Sequence, residues 1–449
     1  MPRPPHPRVK RWPLERWVDP ASAFVALYAG DKDVVWLDSG PSATSGKSYL
    51  GRASRVVTSD TTNSVLDFLR AELADTRMEE NGEGFALGWV GWIGYETRFE
   101  TMAVPRTRTS PYPDAAFVSL DRAVEFDHAT GEVTLVSLED DPEWRAWVTE
   151  TLSTADNSPR PGIDPNPASP TVAERRAVWR DGDETYLAKI RECQARIAAG
   201  DAYLLCLTNE ARVEGTPDPV TTYLALREAS PSHHGALLRV GDLALLSASP
   251  EQFLTVTPSG VIESRPIKGT RPRGSSRESD VVLANELAAS EKERAENLMI
   301  VDLLRNDLGS VSEIGSVEVP SLLAVESYAQ VHQLVSTVRG QLADGLVGMD
   351  AVVACFPAGS MTGAPKSSAT RLLDVLEDAP RGVYSGVFGY FGLDGRIDLA
   401  MVIRSMVITP TGVTVGAGGG ITALSDPHEE LAEVQLKAAA LLATIGVRQ

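Results

Sequence analysis

The chain has 449 residues, of which 43% are hydrophobic, and carries a formal net charge of −19 at pH 7. This length permits a large core in one large domain or in two or three smaller ones, and the composition is that of a soluble globular protein. So acidic a surface argues against general nucleic-acid binding, and an anionic ligand would need a local pocket of positive charge or backbone N–H groups.

The sequence also excludes several other classes. No apolar run approaches the ~20 residues of a membrane-spanning helix, and residues 1–20 are basic and Pro-rich without the apolar core of a signal peptide. The three cysteines are widely spaced and odd in number, which favours neither a disulfide framework nor a cysteine metal site. We therefore expect a cytoplasmic protein.

The first part of the chain, residues 1–152, is predicted to be a β-rich region. Short β-type runs lie at residues 24–28, 34–37, 123–126 and 133–136, and a helix is predicted over residues 64–76. Residues 85–95 (FALGWVGWIGY) predict a curved, buried strand, since glycines within strands mark bulges or close backbone contacts. Residues 153–178 include a Pro-rich stretch that predicts a linker or a surface loop.

The remaining residues, 179–449, mix strands and helices without a regular βαβ period, which predicts an α+β fold with antiparallel sheets. Helices are predicted over residues 183–199, 292–308, 326–342, 349–355, 367–376 and 427–444. Strands are predicted at residues 202–207, 236–240, 243–247, 253–261, 383–391, 399–408 and 413–415, with a glycine loop over residues 416–420.

Residues 262–274 (IESRPIKGTRPRG) place a lysine, Lys268, at the end of a predicted strand. Pro266 favours an extended Arg265, and Gly269 permits a turn that other residues resist. A lone lysine in such a place is usually solvated. It becomes a nucleophile where water is excluded and its pKa is depressed, so the residues around it decide its role.

The last predicted helix carries Glu430, Glu433 and Lys437 on one face. Alone, this pattern is typical of a solvated face with an i,i+4 ion pair worth ~0.3–0.5 kcal/mol. The five-residue loop before the helix (GAGGG) would expose backbone N–H groups able to hold a carboxylate or phosphate.

Residues 359–366 (GSMTGAPK) resemble a phosphate-binding P-loop only superficially, because the lysine does not follow the second glycine and Pro365 is foreign to that motif. A nucleotide triphosphatase is therefore rejected. Thr362 and the nearby amides remain candidates for binding a smaller group.

Two further residues suggest a polar site. Glu296 lies near the apolar face of its predicted helix, where a carboxylate is salt-bridged or binds a hard cation; Mg²⁺ typically takes one or two carboxylates. Arg404 interrupts an apolar strand and needs an anionic partner, either a buried acid or a substrate carboxylate. These features together describe a pocket for a small polycarboxylate with Mg²⁺.

The chain resembles the chorismate-utilising enzymes, the family of anthranilate, aminodeoxychorismate, isochorismate and salicylate synthases. The resemblance covers residues 183–449, and it is looser at GWVGWIGYE from Gly88. The blocks that carry it, in the family's order, are SPE from Ser249, PIKGTRPRG from Pro266, ERAENLMIVDLLRNDLG from Glu293, FPAGSMTGAPK from Phe356, YSGVFGYFG from Tyr384, IRS from Ile403, GAGGGI from Gly416 and the helix with Glu430, Glu433 and Lys437.

The resemblance implies an anthranilate synthase component I-like fold, in which large antiparallel sheets form a sandwich with helices packed outside. It implies that Mg²⁺ anchors the ring carboxylate of chorismate through Glu296 and Glu433, with Glu430 in or next to the shell. It also implies a set of substrate-binding residues: Thr270, Thr362, Gly363, Tyr390, Arg404, Gly418, Gly419 and Lys437.

Within the family, a lysine at the position of Lys268 is typical of the aminodeoxychorismate synthases, whereas anthranilate synthases usually carry alanine. The resemblance implies that Lys268 attacks C2 of chorismate while Glu251 acts as general acid on the 4-hydroxyl, after which ammonia attacks C4. Such a lysine needs a pKa several units below ~10.4, and Arg271 or partial desolvation could contribute.

Two departures from the family pattern stand out. Members often have a histidine where this chain has Gln333, and on the predicted helix His332 would point ~100° away, so no catalytic histidine is assigned. The run that binds tryptophan in anthranilate synthases is here WLDS, residues 36–39, so feedback inhibition by tryptophan is not implied.

None of the cysteines lies in the Gly-x-Cys-x-Gly turn that glutamine amidotransferases use. The resemblance therefore implies that a separate glutaminase subunit supplies ammonia. Two alternatives remain open: an anthranilate synthase component I, which would aminate C2 and eliminate pyruvate, and a catalytically idle relative that acts as a binding subunit.

Overall fold

The computed structural model describes residues 8–60, 64–75, 78, 84–155, 175–328 and 330–447. Most of the predicted linker lies outside these residues. The elements of the first part are, in order, β1 (Lys10–Leu14), α1 (Pro20–Tyr28), β2 (Val34–Asp38), β3 (Lys47–Arg52), β4 (Arg55–Thr58), α2 (Val65–Asp75), β5 (Gly88–Ile93), α3 (Arg98–Thr101), β6 (Ala115–Leu120), β7 (Arg122–Asp127), β8 (Glu132–Ser137) and α4 (Pro142–Thr154).

The middle part of the chain supplies the strands around the predicted lysine. Its elements are β9 (Ala177–Trp179), α5 (Asp183–Ala198), β10 (Leu204–Glu214), α6 (Pro219–Ala229), β11 (His234–Val240), β12 (Leu243–Ser249), β13 (Gln252–Val256), β14 (Val261–Arg265), β15 (Ile267–Pro272), α7 (Arg277–Ala289), α8 (Glu291–Gly309) and β16 (Glu318–Ser327).

The last part completes both sheets and ends in a long helix. It contains β17 (Val331–Gln341), α9 (Gly348–Cys355), β18 (Gly363–Ala364), α10 (Lys366–Glu377), β19 (Val387–Gly392), β20 (Ile397–Met401), β21 (Ser405–Thr409), β22 (Gly412–Ile421) and α11 (Pro427–Thr444).

The strands form two large antiparallel sheets. The first sheet has 12 strands in the order β1-β8-β7-β3-β2-β11-β12-β21-β22-β10-β18, with β9 beside β10. The second has 10 strands in the order β15-β17-β14-β13-β20-β19-β5-β6-β4, with β16 beside β17. Strands from both the first and the last part of the chain share each sheet, so the two parts are built around common cores.

Three buried layers result. Between the sheets, Val35 and Leu245 of the first sheet pack with Val90 and Phe388 of the second. Helices α1, α4, α5, α6, α10 and α11 cover the outer face of the first sheet, and α2, α8 and α9 pack on the second. The predicted α+β sandwich with helices outside is confirmed.

Several local predictions were wrong. Residues 24–28 belong to helix α1, because Asp19 caps it by accepting the N–H of Ser22 at 3.0 Å and Pro20 begins its first turn. Helices α4 and α6 begin with the same Asp-Pro pattern, and the sequence analysis missed them along with α7.

Residues 326–342 are not a helix but contain the end of β16 and all of β17. Val331, Val335 and Val338 are β-branched residues that favour a strand, and the tertiary pairing with β14, β15 and β16 fixes it. The predicted strand at residues 253–261 is a hairpin, β13 and β14, with a turn at Gly260.

The predicted strand over residues 399–408 is divided at Arg404, whose φ of 50° is left-handed. Before it, β20 belongs to the second sheet, and after it, β21 belongs to the first. The chain therefore crosses between the sheets at the arginine that sequence reasoning selected.

Candidate active site

Lys268 lies in a β-bulge. Ile267 pairs with Val335 and Thr270 pairs with Gln333, so both Lys268 and Gly269 lie opposite a single residue of β17. Gly269 has a φ of 84°, which glycine adopts without strain. A bulge of this kind re-aims a side chain out of the regular alternation of the strand. Thr270, two residues beyond Lys268, is exposed.

The bulge brings Lys268 among carboxylates. Burial acts to lower its pKa, but the charges of Glu296, Glu251 and Glu433, with the thiol of Cys206, outweigh burial and raise it. The prediction of a lowered pKa is therefore wrong for the protein in this state. Arg271, the expected positive neighbour, instead contacts Glu286 at 3.2 Å and Glu293 at 3.7 Å.

Glu251 has the properties of a general acid. Glu251 is 7% exposed, and burial raises its pKa to about 7. The charge of Lys268 and a hydrogen bond with Ser360 act to lower it. A carboxyl group with this pKa is protonated in part near neutral pH and can donate a proton to a leaving group. The structure thus brings together the two residues predicted to be catalytic.

The three predicted metal carboxylates differ in their surroundings. Glu296 is 7% exposed, and burial raises its pKa although the charges of Lys268 and Lys292 act to lower it. No hydrogen bond from a described residue contributes to this shift. Glu430 accepts hydrogen bonds from Lys292 at 3.0 Å and Ser425 at 2.7 Å. Glu433 contacts Lys437 at 2.6 Å.

These surroundings fit a hard cation held by Glu296 and Glu433. Both act on the pKa of Lys268, and Mg²⁺ needs only one or two protein carboxylates because water and substrate oxygens complete its shell. Within the described residues there is no cluster of three or more His, Cys, Asp or Glu side chains that could hold a metal. Glu430 already has two partners, which places it beside such a site.

The glycine run is not a loop but the second half of β22. Strand β10 pairs with all of β22, whereas β21 pairs only as far as Val415. Beyond that residue no described strand pairs with this edge, and there Lys437 donates to the carbonyl oxygen of Gly418 at 2.9 Å. Because both backbone groups of a residue in an antiparallel strand point the same way, the Gly418 amide faces this open edge and that of Gly419 faces β10.

The structure adds Gly420, which the prediction omitted. A Cβ at Gly420 would lie 3.5 Å from Oε2 of Glu296 and 3.8 Å from Nζ of Lys268. The missing side chain therefore leaves the space between Glu296 and the lysine open. The only sequence signal for this was membership of the glycine run.

Thr362 and Gly363 stand on the opposite edge of β10. Thr362 is fully buried, and its hydroxyl donates to the carbonyl of Ala358 at 3.0 Å. Its carbonyl accepts the N–H of Cys206 at 2.9 Å. Gly363 has a φ of 136° and no room for a Cβ beside the carbonyl of Leu204. Both residues thus fix the loop against the strand that carries Cys206.

Arg404 and Tyr390, predicted to act together, are separated. Arg404 lies near Tyr384 and Glu433, and desolvation lowers the pKa of its guanidinium. Tyr390 packs between the sheets, 4.6 Å from the ring of Phe85 and 6.3 Å from that of Tyr49. The tyrosine that lies near Arg404 is Tyr384, six residues earlier in the same sequence block.

His332 and Gln333 are neighbours on β17, so their side chains point to opposite faces of the strand. His332 bonds with Asp280 at 2.9 Å and Ser327 at 2.8 Å, while Gln333 lies opposite Thr270. The prediction of a helix at these two residues was wrong. His332 points toward α7 and is held by its own hydrogen-bond partners.

A buried ion pair between Glu377 and Arg381 was not predicted from the sequence. The Arg381 guanidinium donates to both carboxylate oxygens of Glu377, at 2.8 and 2.7 Å, and to the carbonyls of Met361 and Cys206, at 2.6 and 2.9 Å. Glu377 also accepts the N–H of Thr208 at 2.9 Å. This network joins the Met361 loop to β10. Its ion pair is only four residues apart in sequence, and tertiary structure brings that pair to Met361, Cys206 and Thr208.

Comparisons with known proteins show the family of the chain. A family profile described as chorismate binding enzyme matches residues 32–443. The chain belongs to this family of chorismate-binding enzymes. An aminodeoxychorismate synthase of Streptomyces griseus is 42% identical over 95% of the chain, which spans 62% of the length of that relative.

Other family members are similar over comparable lengths. An anthranilate synthase component 1 of Methanothermobacter marburgensis is 37% identical over 82% of this chain and 76% of its own. The crystal structure of anthranilate synthase component I from Streptococcus pneumoniae superimposes with a TM-score of 0.73 at 26% identity, covering 97% of this chain and 92% of that one. Among the described residues, no helix has the length and apolarity to cross a membrane.

Proposed function

We propose that this chorismate-binding protein aminates chorismate at C4, giving 4-amino-4-deoxychorismate for 4-aminobenzoate and folate synthesis. The observation that carries the proposal is Lys268, aimed by its bulge between Glu251 and Glu296. The name of the Streptomyces griseus relative supports the same branch of the family.

The proposed reaction is two successive displacements. Lys268 first gives a proton to a neighbouring carboxylate, because the carboxylates around it raise the pKa of its ammonium group. Nζ then bonds to C2 of the ring, the double bond shifts, and the C4–O bond breaks while Glu251 gives its proton to the departing hydroxide. Ammonia then bonds to C4, the double bond shifts back, and the C2–Nζ bond breaks, so that chorismate and ammonia yield product and water. Covalent catalysis of this kind replaces one difficult step by two easier ones.

Substrate binding is assigned to groups that lack a protein partner or face the open edge. No described residue forms an ion pair with Arg404, so it is available for a carboxylate of chorismate. The amide of Gly418 and the ammonium of Lys437 lie at the same edge. Tyr384 stands next to Arg404, and Thr362 with Gly363 shapes the pocket wall.

Mg²⁺ is proposed as the cofactor, held by Glu296 and Glu433. When bound, it would supply positive charge for the ring carboxylate of the substrate. Lys292 meanwhile holds Glu430 beside the site.

Ammonia is proposed to come from a separate glutamine amidotransferase subunit. The three cysteines are buried and free, and burial raises the pKa of Cys193 and of Cys355 to about 12. The pKa of Cys206 is raised as well. None is therefore a ready thiolate nucleophile of the kind a glutaminase needs. Free thiols also accord with a cytoplasmic location, which we propose on that ground.

The test incubates the protein with chorismate, Mg²⁺ and ammonium, and separates the products by chromatography. We expect a product that a 4-amino-4-deoxychorismate lyase converts to 4-aminobenzoate. Fluorescent anthranilate would assign the protein to C2 amination instead, and unchanged chorismate would favour a binding role.

A variant tests the covalent step. Lys268→Ala should lose ~10²-fold or more in turnover, as expected when a nucleophile is removed, while chorismate still binds. Lys292→Ala, which removes a nearby lysine that contacts Glu430, is the matched control and should lose far less. Equal losses in the two variants would remove Lys268 from the mechanism.

A further inference from the structure

A buried carboxylate in the turn after β5 binds two backbone amides of the last part of the chain. Glu96 lies in this turn, residues 95–97, and is 1% exposed. One of its carboxylate oxygens accepts the N–H of Arg381 at 3.0 Å, and the other accepts the N–H of Gly382 at 2.8 Å. A carboxylate is costly to bury unless it is hydrogen-bonded. Glu96 therefore joins the first part of the chain to residues 381–382.

Tyr95, in the same turn, holds the same two residues. Its N–H donates to the carbonyl oxygen of Gly382 at 2.8 Å, and Gly382 has a φ of 65°, which glycine adopts without strain. The guanidinium of Arg381 lies 4.3 Å from the centroid of the Tyr95 ring, in a cation–π contact. The turn after β5 thus fixes both the backbone of residues 381–382 and the guanidinium of Arg381.

The segment that Glu96 holds supports two walls of the lysine pocket. The Arg381 guanidinium donates to the carbonyl oxygen of Met361 at 2.6 Å and to that of Cys206 at 2.9 Å. Cys206 is close enough to Lys268 to act on the pKa of its ammonium group. A shift of Arg381 would therefore move the Met361 loop and strand β10 beside the lysine.

The same segment leads to the chain crossing at Arg404. Tyr384 lies near Arg404, and the N–H of Ser385 donates to the carbonyl oxygen of Val402 at 3.0 Å. Ser385 is buried and has a φ of 65°, a conformation that a residue other than glycine keeps only where its surroundings hold it. The placement of residues 381–385 therefore affects the guanidinium assigned to a substrate carboxylate.

Stability alone does not account for a carboxylate at this position. Burial raises the pKa of Glu96 to about 7, although its two amide partners and the charge of Arg98 act to lower it, and Asp114 raises it further. The other charged groups near the turn are the paired Arg381 and Glu377. A group whose pKa is raised by folding stabilises the fold below its ordinary pKa, and this contribution is lost as the pH rises through 7. Ionised Glu96 thus costs unfolding free energy at pH 8.

The ionised and protonated forms of Glu96 hold the segment differently. The carboxylate accepts one N–H at each oxygen. Protonation places a hydrogen on one oxygen and reduces its capacity to accept. One of two buried amides then loses a charge-assisted hydrogen bond, which is among the stronger hydrogen bonds in proteins.

We propose that Glu96 is a positioning residue for chorismate, and that its ionised carboxylate holds residues 381–385 in the arrangement that presents Arg404 and the lysine pocket to the substrate. Glu96 acts through Arg381 and Tyr384 and does not touch the substrate. The inference rests on the proposed function only in that chorismate binds in this pocket, and it does not depend on which carbon is aminated.

The test measures the dissociation constant of chorismate by calorimetry, with Mg²⁺ and without ammonium, between pH 5.5 and 8.5. Glu96→Gln is neutral at every pH and offers one acceptor oxygen to the two amides, so it imitates the protonated acid. We expect the variant to bind chorismate about tenfold more weakly than the wild type at pH 8.5 and equally at pH 5.5, with the change between pH 6 and 7. Loss of structure alone would give a ratio that does not depend on pH.

Glu100→Gln is the matched control, because it is the same substitution four residues later at an exposed position. It should bind chorismate as the wild type does at every pH. If Glu96→Gln does not fold, the wild type still decides: its dissociation constant should rise about tenfold as the pH falls from 8.5 to 5.5. A wild-type constant that stays flat over this range overturns the positioning role.

The outcomes separate this inference from the proposed function. Equal affinities of the wild type and Glu96→Gln at pH 8.5, or a ratio that is the same at every pH, overturn the positioning role and leave C4 amination standing. Anthranilate as the wild-type product overturns the proposed function alone, because the calorimetry contains no ammonium and reports binding only. A folded wild type that does not bind chorismate overturns both.

Discussion

Two regions of the space between the sheets differ in how that space is used. Around Phe85, aromatic rings fill it, with Tyr49 and Tyr390 at 5.6 and 4.6 Å from the Phe85 ring. Around Gly420, the side chain is missing and the gap is bordered by Glu296 and Lys268. The same sandwich is thus closed by packing in one region and kept open in the other.

One sequence block contributes residues to both regions. The block from Tyr384 to Gly392 sends its first tyrosine to the open region and its second, Tyr390, to the packed one. Residues near each other in sequence therefore need not share a role.

The largest effect is expected in the open region, from Glu251→Gln. Loss of a general acid typically costs 10²–10⁴-fold in rate. Because the pKa of Glu251 is raised to about 7 and the acid must be protonated, the wild-type turnover should fall as the pH rises through 7.

The measurement is the pH profile of kcat between pH 6 and 9. The concentration of free ammonia is kept saturating at every pH. The variant should lack the fall near pH 7, and its thermal stability should stay close to that of the wild type. A variant with the same fall would show that another group controls the profile.

In the packed region, Phe85→Ala should cost ~3–5 kcal/mol of unfolding free energy, because it leaves a cavity where the ring is fully buried. Denaturant unfolding measures this loss. The turnover per folded molecule should change little, and Leu424→Ala, at a residue that is 90% exposed, is the stability control. A large loss of turnover at full folding would mean that the two regions are coupled.

Gly420→Ala reverses the comparison by putting a side chain into the open region. The new Cβ would lie near Leu204, at 3.1 Å, and beside Glu296 and Lys268. A small displacement of reacting groups costs up to ~10²-fold in rate, so we expect kcat/KM to fall ~10–100-fold with little loss of stability.

Gly30→Ala is the control, since nothing lies within 4 Å of a Cβ there. Steady-state kinetics with chorismate provide the measurement. An unchanged kcat/KM in Gly420→Ala would show that the gap at this glycine is not used by the substrate.

The smallest effect is expected from Tyr390→Phe, which removes one hydroxyl from the packed region. Its stability should change by about 1 kcal/mol or less, and the KM for chorismate should stay unchanged. Tyr384→Phe, made in parallel at the open region, should raise that KM. A raised KM in Tyr390→Phe would return this residue to the substrate site, where the sequence analysis placed it.

Local spacing alone identified much of this protein. The face of Glu430, Glu433 and Lys437 follows from helical periodicity, and the block around Lys268 marked the lysine that the bulge later explained. The family and the sandwich of antiparallel sheets were implied by the resemblance of these and the other sequence blocks to the chorismate-utilising enzymes. Periodicity is sufficient for the helix face because its three residues lie within one element.

Tertiary structure decided the rest, because it depends on contacts between distant parts of the chain. The strand at residues 331–341 is set by pairing with β14, β15 and β16, and the choice of Tyr384 over Tyr390 by which sheet layer each ring enters. The charges of Glu251, Glu296 and Glu433 together raise the pKa of Lys268. These three residues lie in three separate segments of the chain. No local pattern records such sums, since Coulomb interactions depend on distances in space and not along the chain.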